Sequence, residues 1–207
     1  MILSCPACSA EVQFKSRSSV FGVCSFCSST LVRHDMKLES IGKMAQLPPD
    51  LSPIQIGSAG RFNGSHFEII GRKKMAWESG LWTEWYVMFD KGQDGWLAEA
   101  QGTWALTQVK EGATIPDKNS LVIGNTYNLG GKVFELDDIK ECNCSGSSGE
   151  LPMQANKGQK SVSADFTGQD GTMASIDYSE ATPVLYLGKY LEFEDFKFTN
   201  LREVDGW

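Results

Sequence analysis

A chain of 207 residues, 41% of them apolar, with net charge −7, is long enough to bury a core of its own, as one substantial domain with a small one attached. No stretch reaches the ~18 apolar residues of a membrane span, and the opening "MILSCPACSA" has neither the basic start nor the apolar run of a secretion signal, so a cytoplasmic location is expected. The charge is uneven: residues 1–36 balance at +1 and the remainder at −8, an acidic body that repels nucleic acid and anionic membranes.

Cys5-Pro-Ala-Cys8 and Cys24-Ser-Phe-Cys27 form C-x2-C-x15-C-x2-C. In a reducing compartment cysteines at this spacing serve a metal before they serve disulfides. Four thiolates on two short knuckles close a tetrahedron around one structural zinc ion. Val12 and Phe14 alternate with polar neighbours, and Val20 to Val23 lead into the second knuckle, which predicts a hairpin between the two. A unit this small has too little core to fold alone, and zinc binding of ~10–16 kcal/mol in comparable peptides supplies the difference. Ser9 and Ser28 stand where such knuckles favour glycine, so both turns must accommodate a side chain. Residues 1–36 are thus a predicted zinc ribbon, with Cys5, Cys8, Cys24 and Cys27 as ligands and a protein partner as its expected docking target. His34, seven residues past Cys27, falls outside the ligand set.

Met36, Leu38, Ile41, Met44, Ala45 and Leu47 recur at helical spacing before Pro48-Pro49, predicting a short helix and a linker over residues 37–53. From Ile54 onward short alternating runs punctuated by Gly, Asn and Asp predict a mainly β chain: a two-module antiparallel β body, barrel- or sandwich-like. The modules are expected at 54–118 and 119–207, because "IGSAGRFNGSHFEII" and "IGNTYNLGGKVFELD" match at an offset of 67, at Ile56/Ile123, Gly57/Gly124, Gly64/Gly131, Phe67/Phe134 and Glu68/Glu135, the mark of an internal repeat.

Within the first module, "WTEWYVMFDKGQDGWLAEAQ" reads as a hairpin around Asp90–Gly95. Pairing Phe89 with Trp96 gives one apolar face of Trp85, Val87, Phe89, Trp96, Ala98 and Ala100, predicted to be core. The other face then carries Trp82, Glu84, Tyr86 and Met88 beside Leu97, Glu99 and Gln101. Rings with acids suit an organic cation, which makes Trp82, Glu84, Tyr86 and Glu99 a candidate ligand site; paired carboxylates also serve acid–base chemistry. The plainer alternative is a half-buried face packed on the other module, with its glutamates at the solvent edge.

Cys142 and Cys144 lie one residue apart, on one face of a strand. A disulfide between them is strained, so they either pack structurally at a strand end or form part of a second metal site or redox pair. Further on, Asp165, Asp170 and Asp177 surround a predicted hairpin with Asp170-Gly171 at its turn. They lack the regular oxygen ladder of a calcium loop, so turn chemistry is their expected role. Leu191 to Phe198 alternate as one more amphipathic strand. No Walker, dinucleotide or nucleophile-elbow motif occurs.

The phrases "GKMAQLPPDLSPIQIGSAGRFNGSHFEIIGR", "WTEWYVMFDKGQDGWLAEAQGTWALT", "GELP" and "IDYSEATPVLYLGKYL" together resemble the bacterial family of domain of unknown function 4178, in the form that carries an N-terminal zinc ribbon. The resemblance implies no activity. It implies a cytoplasmic accessory role, since members tend to sit beside genes for polyamine synthesis and membrane stress.

The expected function is therefore that of a non-catalytic binding or adaptor protein with one structural zinc, docking a partner through its ribbon and binding a polyamine-like cationic metabolite or a protein on its β body. A carboxylate-dependent enzyme acting on polyamine-related substrates, through Glu84 and Glu99, is the alternative. A nucleic-acid-binding ribbon is the third reading, disfavoured by the charge of only +1 over residues 1–36.

Overall fold

The computed structural model describes residues 1–44, 47 and 51–204. The N-terminal unit holds β1 (Ile2–Ser4) paired with β2 (Glu11–Gln13), then β3 (Phe21–Val23), β4 (Ser29–His34) and β5 (Lys37–Lys43). Residues 37–43 form a strand where helical spacing predicted a helix. Only Leu38 among them is half-buried, and a tight turn at Asp35, whose φ is 52°, folds the segment back on β4. Residues 48–50 of the expected linker lie outside those described.

The body consists of two runs of five strands. The first has β6 (Ala59–Phe62), β7 (Ser65–Trp77), β8 (Gly80–Phe89), β9 (Asp94–Ala100) and β10 (Thr103–Val109). The second has β11 (Thr126–Leu129), β12 (Lys132–Leu151), β13 (Lys160–Gly168), β14 (Thr172–Asp177) and β15 (Val184–Leu191). The sequence echo maps onto backbone detail. Gly57 donates to Ile69 and Gly124 to Leu136, both at 2.8 Å, and a β-bulge follows at Ile69/Gly71 and at Leu136/Asp138. Gly57 and Gly124 both have positive φ, 93° and 84°, a backbone that glycine adopts without steric cost.

All pairings are antiparallel, and the sheet runs β6-β7-β8-β9-β10-β15-β14-β13-β12, with β11 on β12 and β12 meeting β7 again. The sheet therefore returns on itself through eight strands. It is ring-like and not a barrel, because β12 changes partners along its length: β13 up to Asn143, β7 from Asn143 to Gly149, and β3 at Glu150 and Leu151. At the two junctions between the runs, Ala76 faces Asn143 and Gln108 faces Leu187. Ala76 and Asn143 stand at the repeat offset of 67, and Gln108 and Leu187 at the offset of 79 that the strand pairings give from β8/β13 onward. Each junction thus sets a residue opposite its own repeat equivalent, and a pseudo-two-fold axis passes through both.

The outward faces of the two runs bury matching residues. Phe67, Ile69, Trp85, Val87, Leu97 and Leu106 form one core; Phe134, Leu136, Ala164, Phe166, Ile176 and Leu185, their repeat equivalents, form another. The C-terminal segment covers the first. Residues 193–196 there make a 3-10 turn where a strand was expected, because a reciprocal Glu192/Asp195 capping box winds the chain and lets Phe193, Phe196 and Phe198 close on Trp104 and Phe67. A third core joins Phe21 and Val32 of the N-terminal unit to Met75, Tyr86, Trp96 and Cys142, so that unit packs against one end of the ring.

Candidate functional site

The two N-terminal knuckles are copies of each other. Ser9 donates to the Cys5 carbonyl and Cys5 to that of Ala10, both at 2.8 Å; Ser28 donates to Cys24 and Cys24 to Ser29, both at 2.9 Å. Ser9 and Ser28 sit at φ 62° and 58°, the left-handed conformation the turns demand, with a side chain in place of glycine. The four Sγ atoms lie within 4.8 Å of one another, with Cys5 to Cys27 and Cys8 to Cys24 each 3.8 Å. Zn–S bonds of ~2.3 Å in a tetrahedron require S···S of about 3.8 Å. The residues present thus fit a metal ion of the zinc type.

Cys142 and Cys144 do not join a comparable set: among the described residues, the ribbon cysteines are the one group of three or more candidate metal ligands. Both are buried. Cys142 Sγ faces the Ser161 carbonyl at 3.6 Å, and Cys144 faces those of Gly146 and Ala155 at 3.5 and 3.7 Å. Burial, reinforced by the Glu84 charge, pushes the Cys142 thiol up to about 11, and burial raises Cys144 as well.

The interior of the ring is a cavity of about 520 Å³ to which all eight ring strands contribute. Its centre is set by β7 and β8. Lys73 Nζ binds Glu84 Oε2 at 2.8 Å and stands 4.9 Å from the centre of the Trp96 ring, while Trp82 Nε1 donates to Glu84 Oε1 at 2.9 Å. Burial alone would lower the Lys73 pKa; Glu84, with Asp177 behind it, overrides that and leaves it raised. Lys140, the repeat equivalent of Lys73, binds Asp138 at 3.1 Å and Asp165 at 3.2 Å and lies 5.7 Å from the Trp77 ring centre. Ser175 donates to the second Asp165 oxygen at 2.8 Å. Asp177 Oδ1 takes the Ser179 backbone N–H at 2.8 Å and its hydroxyl. Lys73, Met75, Ser161, Asp177 and Tyr186 also line a smaller cavity of about 190 Å³, so the two cavities adjoin at Lys73.

The residues singled out on the tryptophan hairpin are split by the register. Tyr86 pairs with Trp96, and Phe89 does not, an odd slip that puts Trp96, Ala98 and Ala100 on the Glu84 face and Leu97 with Trp85 and Val87. Trp82 and Glu84 line the cavity. Tyr86 shares their face but is packed into the floor, 1% exposed, its ring 5.1 Å from that of Trp96. Glu99 lies on the opposite face, accepting from Trp85 Nε1 at 2.8 Å, so Glu84 and Glu99 are not a carboxylate pair. Asp165 and Asp177, read from sequence as turn acids, instead project into the cavity from β13 and β14; Asp170 alone holds the turn, at φ 55°. The usable signal was the alternation of Met173, Ser175 and Asp177 with Ala174 and Ile176, which separates cavity from core.

The family model "Domain of unknown function (DUF4178)" matches residues 55–193, the whole of the ring, and the chain belongs to that family. No curated protein and no solved structure matches it. No helix among the described residues is long and apolar enough to cross a membrane.

Proposed function

We propose that the protein is a non-catalytic cytoplasmic binding protein whose ring cavity receives an organic cation of the polyamine type, while the zinc-held ribbon closes the cavity floor and offers its outer knuckle surface, with Phe26 84% exposed, to a protein partner. The observation that carries this reading is the lining: Glu84, Asp165 and Asp177 against Lys73 and Lys140, among the rings of Trp77, Trp82, Trp96, Tyr186 and Tyr190. Carboxylates neutralise a cation and ring faces attract it once water is displaced, and a cavity of several hundred Å³ is the size that small ligands use.

Proton-transfer catalysis works best with a group poised near neutrality, and the shifts in this cavity run the other way. Lys73 and Lys140 are raised, each by carboxylates that outweigh the opposing effect of burial, so both stay charged. Tyr186 is pushed up to about 12 by burial and Cys142 to about 11 by burial, so both stay neutral. Such groups hold a ligand in place without exchanging protons with it.

The test is a thermal-shift and calorimetric screen at low salt, with linear polyamines against organic dicarboxylates and phosphates of similar size. Cations should raise Tm, and Asp177→Asn should reduce the shift. Stabilisation by the anions alone would overturn the reading and make Lys73 and Lys140 the recognition groups.

A further inference from the structure

The cavity carries its charge in two tiers, and their spacing specifies more than a cation. The deep tier holds Lys73 with Glu84 and Asp177. The mouth tier holds Lys140 with Asp165 and Asp138. The pseudo-two-fold relates the two lysines, and in each tier one ammonium stands against two carboxylates, leaving each one negative charge in excess. The smaller cavity beyond the deep tier adds only the exposed Lys160 and Glu180, which cancel. An unmatched charge is costly where water is excluded, and the deep tier is enclosed: the side chains of Lys73 and Glu84 are 13% and 23% exposed. Among the described residues Asp177 hydrogen-bonds only to Ser179, through Oδ1, with Lys73 acting on it at longer range, so its Oδ2 is available to a ligand.

Asp165 and Asp177 lie on adjacent strands. Asp165 pairs with Ser175, and Asp177 with Ser163, so the two acids are diagonal neighbours on one face. Backbone positions in that relation are roughly 7–8 Å apart, and their Cβ atoms somewhat closer. The wall around them supplies Met173, Tyr186 and Tyr190, apolar surface suited to a methylene chain.

Building on the cation reading, we propose that the ligand is two-headed: a linear α,ω-diamine or diamine-containing chain, one ammonium on Asp177 in the deep tier and the other on Asp165 at the mouth. Diagonal acids at that spacing suit a bridge of roughly four to six methylenes between the amines. Each head cancels one tier's excess charge. A monoamine of the same length neutralises one tier and leaves the other.

Calorimetry with the intact zinc-loaded chain tests this, using unbranched diamines of three to eight carbons and the matching n-alkylamines at fixed ionic strength. Affinity should peak for diamines near four to six carbons and exceed that of the equal-length monoamine by tenfold or more. Asp165→Asn and Asp177→Asn should each reduce the best diamine to the level of its monoamine, with zinc content unchanged. If Asp177→Asn does not fold, Asp165→Asn at the more open mouth carries the same comparison. Equal binding of diamines and monoamines, or affinity rising steadily with chain length, would overturn the two-headed site while leaving the cation reading standing. Absence of binding by any amine would overturn both.

Discussion

Glu150 accepts the backbone N–H of Lys15 with both carboxylate oxygens, at 2.8 and 3.0 Å, and that of Ser16 at 3.2 Å. One buried side chain at the end of β12 thus satisfies two backbone donors from the loop between the zinc knuckles. Beside it Glu150 and Leu151 pair with Gly22 and Phe21, and the Lys15 side chain reaches Glu68 on β7. The ribbon is consequently fastened to the strand that closes the ring. Hydrogen bonds to a charged group contribute about 1.5–3 kcal/mol, and stranding a buried donor costs a similar amount. Glu150→Ala should cost about 2–3 kcal/mol in urea unfolding while the zinc content stays at one per chain. Glu150→Gln should fall between, because its amide keeps one acceptor oxygen and turns a donor toward the N–H groups. A neutral Glu150→Ala would mean the ribbon is held by Phe14 and Phe21 packing alone.

Zinc should be stoichiometric at one ion per chain and should remain so in Cys142→Ser/Cys144→Ser. Cys24→Ser should lose it. Because Phe21 and Val32 of the ribbon share a core with Trp96 and Cys142 of the cavity floor, chelation should also lower the stability of the ring and weaken ligand binding. Elemental analysis of the three proteins, with unfolding curves before and after chelation, checks both points. A second ion lost from the Cys142/Cys144 variant would contradict the packing role of that pair.

What could be read from the sequence was whatever depends on local spacing. Two C-x2-C pairs define knuckles because each closes its own turn. The repeat showed at Gly57/Gly124 and Gly64/Gly131 because those positions need positive φ and resist substitution by residues with a Cβ. The tryptophan hairpin lost its register because its turn is longer than the two-residue loops that fix pairing, and a slip by an odd number swaps faces. The segment at 37–43 offers only Leu38 and Ile41 as apolar positions, too few to establish a helical period. The cavity was illegible for a further reason: a polar face on a strand looks the same whether it meets solvent or the inside of a ring. Lys73, Lys140, Asp165 and Asp177 come together only once β7 meets β12 and β10 meets β15.

Cys142 gives a pH signature. Its thiol is displaced upward from near 9 to about 11, first by burial and then by the Glu84 charge. The folded state favours the neutral form, so this group's contribution to stability is complete below about pH 9 and is lost as pH rises toward 11. The stability difference between the wild-type chain and Cys142→Ser should therefore shrink across that window and stay flat from pH 6 to 8. Alkylation of the native protein at pH 7.5 should likewise be slow at Cys142, since the thiolate is the reactive form. A decline centred near pH 7 would place the thiol in a far more polar setting than the floor of the ring.

Lys73 and Glu84 face each other across β7 and β8 and pair at 2.8 Å. Both sit inside the ring, where removing one member strands the other. Cutting one partner from a buried ion pair typically costs about 3–5 kcal/mol, whereas replacing both with apolar groups of similar volume is often neutral. Lys73→Met should be the milder single change, because it leaves Glu84 its bond from Trp82 at 2.9 Å and a side chain partly open to the cavity. Glu84→Leu should be the harsher one, leaving the Lys73 ammonium with the Trp96 ring and the more distant Asp177. The double variant Lys73→Met/Glu84→Leu should recover most of the loss, giving a coupling energy of about 1–3 kcal/mol in a double-mutant cycle read by urea unfolding. It should also leave the deep tier with Asp177 alone and still one negative charge in excess, so diamine binding should survive in the double variant while its salt dependence stays unchanged. Additive single effects would mean that the pair is solvated and that the ring interior is wetter than its enclosure implies.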